Sequence, residues 1–321
     1  ALWHVSNEYG CHNATCYCDT CAAGFRTWLQ DRYGDLDELN DAWGTAFWSQ
    51  RYTAFDQVIP PRLTMSYNNP GQLLDYRRYL SDALLGQYLA ECEVLGEHSP
   101  GVPITTNFIT MSQFHQLDWH DWMRRLRAES GPSPLIVSAD HYLVDSLEDP
   151  QAEQAFVGDL TRGIAGGPWV LMEHSTSAVN WQPVNVAKGP GQMLRDSLTH
   201  VARGADAVGF FQWRASRAGA EKFHSALVPH AVTTSRRFDE VCALGEVVAR
   251  LSEVAGSQVT ADVAILWDYQ SYWATLGPAM PSELVDYADL ARDIHRALRE
   301  SHIATDVVSP TADLSSYKVL F

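Results

Sequence analysis

Strand-like apolar runs alternate with long helical stretches along this chain, and that alternation restricts the fold more than any other feature. The runs are Leu2–Ser6, Val102–Asn107, Leu135–Ala139, Trp169–Glu173 and Ala207–Trp213. The clearest helical stretch is Gln72 to Glu97, where Leu73, Leu74, Tyr76, Tyr79, Leu80, Leu84, Tyr88 and Leu95 form a broad apolar stripe. Gly191 to Ala202 and Arg236 to Val254 follow the same pattern. Strands joined by helical crossovers pair in parallel, so an α/β fold is expected.

Five such units precede residue 256. A complete eight-stranded barrel takes roughly 250 residues, more with insertions. The expectation is therefore a (β/α)8 TIM barrel of which this chain holds strands four to eight, with the first three upstream of Ala1. After Gly256 the pattern restarts, with strands Val263–Trp267 and Ile303–Val308, a helix over Ser282–Arg299 and the beginning of a strand at Tyr317–Phe321. That reads as the start of a doubly wound α/β domain. The predicted division is 1–256, N-terminally incomplete, and 257–321, C-terminally incomplete.

Within the first run, Leu2, Trp3 and Val5 read as a buried strand that ends in Asn7-Glu8 before Gly10. A carboxylate at the carboxyl end of a strand is where a (β/α)-barrel places catalytic acids. A second glutamate closes Pro168-Trp-Val-Leu-Met-Glu173. Alone, Glu8 would also suit a solvated loop, the lesser of the two readings. Two strand-end glutamates fit glycoside hydrolysis, which needs two carboxylates across one sugar bond.

The formal charge of −16, from 39 acidic and 23 basic residues, opposes a nucleic-acid or anionic-membrane partner. No run is apolar for long enough to span a bilayer and nothing at the start resembles a signal peptide. With the first strands expected upstream, that absence says little of compartment, and a cytoplasmic location is only the default expectation. The 11 tryptophans could stack on sugar rings, but most tryptophans are core mass. Cys11, Cys16, Cys18 and Cys21 crowd one loop at 11–21, which suits a tetrahedral thiolate zinc site or, in an oxidising compartment, disulfides. Cys92 and Cys242 read as ordinary buried thiols.

Several passages together resemble glycoside hydrolase family 42, the β-galactosidases of the barrel clan. They are His4-Val-Ser-Asn7-Glu8-Tyr9-Gly10, Cys16-Tyr-Cys18-Asp-Thr-Cys21, Leu39-Asn-Asp-Ala-Trp43-Gly-Thr-Ala-Phe47-Trp48-Ser, Met172-Glu173-His-Ser-Thr-Ser-Ala-Val-Asn180-Trp181, and Gln212-Trp213-Arg214 with Glu221-Lys-Phe-His224. The resemblance implies Glu8 as general acid/base and Glu173 as nucleophile of a retaining enzyme. It places Asn7 on the sugar 2-hydroxyl and Tyr142 against Glu173. Trp181, Glu221 and His224 would line a galactose subsite, with Trp181 as stacking platform. Glu8 is expected to be kept protonated by the nearby Glu173 anion. The family's structural zinc implies Cys16, Cys18 and Cys21 as ligands, with Cys11 standing in for an upstream fourth. No organic cofactor is expected, and the region after Gly256 implies a homotrimer.

Other residues take plainer readings. His12, His98, His115, His120, His200 and His230 lack metal spacing to one another. Of Asp140-His141-Tyr142 only Tyr142 matches the family. Asp118, Trp119, His120, Asp121 and Trp122 suit either a sugar-facing loop or a helix start. The leading function is removal of terminal non-reducing β-D-galactose from β-galactosides. The alternatives are an α-L-arabinopyranosidase, another barrel-clan glycosidase, or a catalytically silent fragment with an assembly role.

Overall fold

The computed structural model describes residues 1–12, 15–111, 117–129, 133–143, 149–278 and 280–321. His115 lies outside the described residues. The first region is a curved parallel sheet. Strand β1 (Trp3–His4) pairs with β2 (Ile104–Thr105). After Thr106 the same run continues as β3 (Asn107–Phe108), followed across the sheet by β4 (Ser138–Asp140), β5 (Trp169–Glu173) and β6 (Ala205–Val208), all parallel. Ile104 also bridges to Leu135, which joins the two ladders into one arc. The five runs read from the sequence are thus the five strand positions, most of them shorter than expected. The run at 207–213 yields a strand only over Ala205–Val208, and 209–213 leave the sheet.

Helices separate these strands. An excursion between β1 and β2 carries α1 (Asp19–Tyr33), α2 (Leu36–Trp43) and α3 (Pro70–His98). Asn69 caps α3 by accepting from the backbone N–H groups of Gly71 and Gln72, and Pro70 fills the first turn, where no N–H is needed. These helices close over their own core of Phe25, Leu29, Leu39, Trp43, Val58 and Tyr76. Helices α4 (Trp119–Glu129), α5 (Pro150–Ala165), α6 (Gln192–Ala202) and α7 (Arg236–Arg250) follow β3 to β6 in turn. The aromatic-acidic patch resolves to a helix start: Asp118 accepts the N–H of Asp121, and Trp119 and Trp122 are fully buried.

The second region forms a parallel sheet of order β8–β7–β9, built from β7 (Val263–Leu266), β8 (Thr305–Val308) and β9 (Val319–Leu320), with α8 (Tyr269–Thr275) and α9 (Tyr287–Glu300) between β7 and β8. Its apolar residues Ile265, Trp267, Trp273 and Val307 join the same core as Phe108, Trp119 and Leu171. Helix α5 is buried on nearly every side because β8 covers its outer face. A Cβ on Gly163 would stand 1.8 Å from the carbonyl oxygen of Val307, so this contact requires glycine.

Two expectations about burial change. Leu2 and Trp3 are exposed and only Val5 is buried, because β1 has a strand partner on one edge alone among the described residues. Cys92 is buried but Cys242 is exposed, on the outer side of α7.

Candidate active site

The strand ends converge at their carboxyl termini. Glu8 follows β1, Asn107 opens β3, Asp140 closes β4 and Glu173 closes β5. Oxygen atoms of Glu8, Asp140 and Glu173 all lie within 4.8 Å of one another. The two predicted glutamates therefore meet, and a third carboxyl group joins them.

Asn107 organises the cluster. Its Oδ1 accepts the backbone N–H of Glu8 at 2.8 Å and faces Nε2 of His4 at 2.9 Å. Its Nδ2 donates to Asp140 Oδ2 at 2.6 Å and to Asn7 Oδ1 at 3.1 Å, with a longer approach to Glu173 Oε1 at 3.4 Å. Ser6 and Glu8 both adopt left-handed backbone, φ 55° and 50°. Such conformations cost about 1–3 kcal/mol each and persist where surrounding contacts over-determine them, as Asn107 does here.

Tyr142 donates its hydroxyl to Glu173 Oε2 at 2.6 Å. Burial raises the Glu173 pKa; the Tyr142 hydrogen bond pulls it down, and the Glu8 charge raises it again. Asp140 is raised well above the usual carboxylate range, first by burial and then by the charges of Glu173 and Glu8. Burial and the neighbouring charges thus both disfavour a third full anion beside the two glutamates.

These groups face a cavity of about 1210 Å³ whose wall includes Asn7, Cys11, Tyr142, Trp181, Phe211 and Glu221. Trp181 is half exposed and meets Tyr142 edge-on, with centroids 5.3 Å apart. His224 is placed differently from the expectation. It is buried behind the wall, edge-on to Tyr142 and Phe211, and its Nδ1 faces the carbonyl of Ser225 at 2.9 Å. His141 also reaches the cavity, where its Nε2 pairs with Glu153 at 2.8 Å while Nδ1 contacts buried His200 at 3.1 Å.

The cysteine loop divides. Cys16, Cys18 and Cys21 bring their sulfurs within 4.8 Å of one another, and Cys18 also caps α1. The backbone N–H of Cys21 lowers the Cys18 thiol to about 7. Three clustered thiols are the donor set that zinc selects, so these residues fit the ion. Cys11 does not join them. The turn at Gly10, φ 77°, sends it into the cavity beside Glu8 and His12, so its expected role as fourth ligand is corrected.

The sequence assigns no role to Asn107 or Glu153, and it names Asp140 and His141 only beside Tyr142, without a role of their own. Asn107 and Asp140 carried the signal that found Glu8 and Glu173, a polar residue at the end of an apolar strand run. The His141–Glu153 pair had no comparable pattern, since its members lie on a loop and a helix.

A β-galactosidase family model, glycoside hydrolase family 42, matches residues 1–251, and a β-galactosidase trimerisation-domain model matches 261–321. A β-galactosidase of an Arthrobacter species is 50% identical over 321 residues, all of this chain and 45% of that protein. A β-galactosidase of Bifidobacterium bifidum is 46% identical, covering 99% of this chain and 46% of its own length. Among solved structures, the β-galactosidase from Rahnella sp. R3 superposes with a TM-score of 0.92 at 38% identity, over 99% of this chain and 46% of that one. The chain spans about half the length of the curated relatives it matches. The likeness to that solved structure makes the parallel arc a TIM-barrel-type α/β fold.

Proposed function

The chain belongs to glycoside hydrolase family 42, and from that premise we propose that the whole protein is a retaining β-galactosidase acting on terminal β-D-galactose. The observation that carries this reading is the meeting of Glu8 and Glu173 oxygens within 4.8 Å, from residues 165 positions apart. Retaining glycosidases place their carboxyl groups about 5–5.5 Å apart, whereas inverting ones leave about 6.5–9.5 Å for a water.

In the first step Glu173 attacks the anomeric carbon while Glu8 gives its proton to the departing glycosidic oxygen. The covalent glycosyl ester then releases galactose as Glu8 takes a proton from the attacking water, which restores both carboxyl groups. Tyr142 holds Glu173 through its 2.6 Å hydrogen bond. Asn7 lies beside Glu8, where its amide would bind the 2-hydroxyl as charge builds on the ring. Trp181 would stack on the sugar and Glu221 would bind its hydroxyls, with His224 supporting Tyr142 from behind.

A zinc ion would sit on Cys16, Cys18 and Cys21, where it would tie the loop to the first turn of α1. The match of 261–321 to a trimerisation domain supports assembly of the whole protein as a homotrimer. The decisive experiment is Glu173→Ala in the full-length protein with nitrophenyl β-galactoside. Turnover should vanish, and azide should restore it with a product of inverted configuration. Loss without azide rescue removes the support for Glu173 as nucleophile.

A further inference from the structure

Beside the hydrolytic pair lie Cys11 and His12, two side chains that the reaction does not use. The turn after Glu8 closes with the Cys11 N–H donating to the Glu8 carbonyl at 2.8 Å. It brings Cys11 Sγ to 3.0 Å from His12 Nδ1. One ligand atom from each of Glu8, Cys11 and His12 lies within 4.8 Å of the other two. Carboxylate, thiol and imidazole together are the donor types that a borderline divalent ion such as Zn2+ prefers. Bonds of about 2.0–2.3 Å to three such donors leave a fourth position open to water, the arrangement of exchangeable rather than closed sites.

The surroundings favour a cation here. Glu8 is shared with the Asp140–Glu173 cluster, so the ion would lie against a concentration of carboxyl groups. The trio is also reachable: Cys11 and His12 line the cavity and His12 is exposed. It is separate from the thiols of Cys16, Cys18 and Cys21, which cluster with one another and not with Cys11.

We propose that Glu8, Cys11 and His12 form a binding site for a soft or borderline divalent metal ion, and that occupancy switches off the neighbouring reaction centre. Binding forms a sulfur–metal bond as the Cys11 thiol releases its proton to solvent, with no change of oxidation state. The bound ion takes the Glu8 carboxylate as a ligand, so Glu8 can no longer carry a proton to the glycosidic oxygen. The inhibition rests on the assignment of Glu8 as acid/base; the metal binding does not.

Cobalt(II) titration of the full-length protein tests the site, read by thiolate-to-cobalt charge-transfer absorption. Wild type should show a class of thiolate-bound cobalt that Cys11→Ser lacks and Cys16→Ser keeps. His12→Gln should retain that absorption with affinity weaker by at least the roughly 10–100-fold that losing an outer-shell partner of a ligand already costs. The Zn2+ concentration that halves turnover, each variant normalised to its own metal-free rate, should rise by a similar factor in Cys11→Ser. Identical cobalt titrations for wild type and Cys11→Ser would overturn the proposal. If cobalt binding is lost in Cys11→Ser but Zn2+ leaves wild-type turnover untouched, the metal site stands and its control of the reaction through Glu8 is overturned.

Discussion

Asn107 holds Asp140 by a 2.6 Å hydrogen bond from its amide, and its carbonyl oxygen accepts the backbone N–H of Glu8 at 2.8 Å. One side chain thus fixes both the left-handed backbone of Glu8 and the carboxyl group that clusters with Glu8 and Glu173. Burial makes each of these contacts matter, since a polar group stranded in the interior costs about 1–3 kcal/mol.

Replacing that amide tests how far the cluster depends on it. Asn107→Ala leaves Asp140 Oδ2, Asn7 Oδ1 and the Glu8 N–H without their partner. Displacement of a reacting group by an ångström costs on the order of 100-fold in rate, so kcat should fall by about that factor with a smaller change in KM. Steady-state kinetics on nitrophenyl galactoside read both parameters. Wild-type kcat in this variant would show that Asn107 does not position the carboxyl groups.

Tyr142→Phe should move the acidic limb of the pH–rate profile. The Tyr142 hydroxyl donates to the ionised form of Glu173 and so opposes the upward push of burial. Without it the Glu173 pKa rises further. The nucleophile must be ionised, so kcat/KM should begin to fall at a higher pH than in wild type. An acidic limb that stays in place, or moves to lower pH, contradicts this account.

Residue pattern and the family resemblance together pointed to much of this cluster, and geometry supplied the remainder. Glu8 and Glu173 were legible because each ends an apolar run, and Trp181 and Glu221 because their passages resemble the family. Asn107 and Asp140 end runs in the same way, but an amide or aspartate there acquires meaning only once β3 and β4 are seen beside β1 and β5. Cys11 was misplaced because spacing along a loop says nothing of the turn at Gly10. The burial of α5 was also hidden: its outer face meets β8, more than a hundred residues later in the chain.

Metal removal should affect stability before chemistry. If Cys16, Cys18 and Cys21 hold zinc, a strong chelator should release about one ion per chain, counted by elemental analysis, and lower the melting temperature. Cys18→Ser should do the same without chelator. The kcat of the fraction that remains folded should stay close to wild type, because the thiols lie on the loop leading into α1 and not on the Glu8–Glu173 pair. An unchanged melting temperature after complete metal loss would exclude a structural ion there.

The packing of the second region on the barrel depends on a buried charge cluster. Asp159 on α5 pairs with Arg162 and Arg203 and accepts from His295 of α9 at 2.8 Å, while Arg162 reaches Asp306 of β8 at 2.6 Å. Burial pushes the Asp159 pKa up, but the His295 hydrogen bond and the two arginines outweigh it and hold it below the usual carboxylate range. A depressed folded pKa stabilises the protein above the unfolded value of about 3.9, and that stability is lost as pH falls through the folded value. Asp159→Asn leaves the partly buried Arg203 without its carboxylate and Arg162 with Asp306 alone, a loss of at most the roughly 3–5 kcal/mol that breaking a fully buried pair costs. Urea unfolding at neutral pH should show that loss, and the difference from wild type should shrink in acid, where wild-type Asp159 becomes protonated. A destabilisation of the same size at every pH would mean that the substitution disturbs packing and not charge.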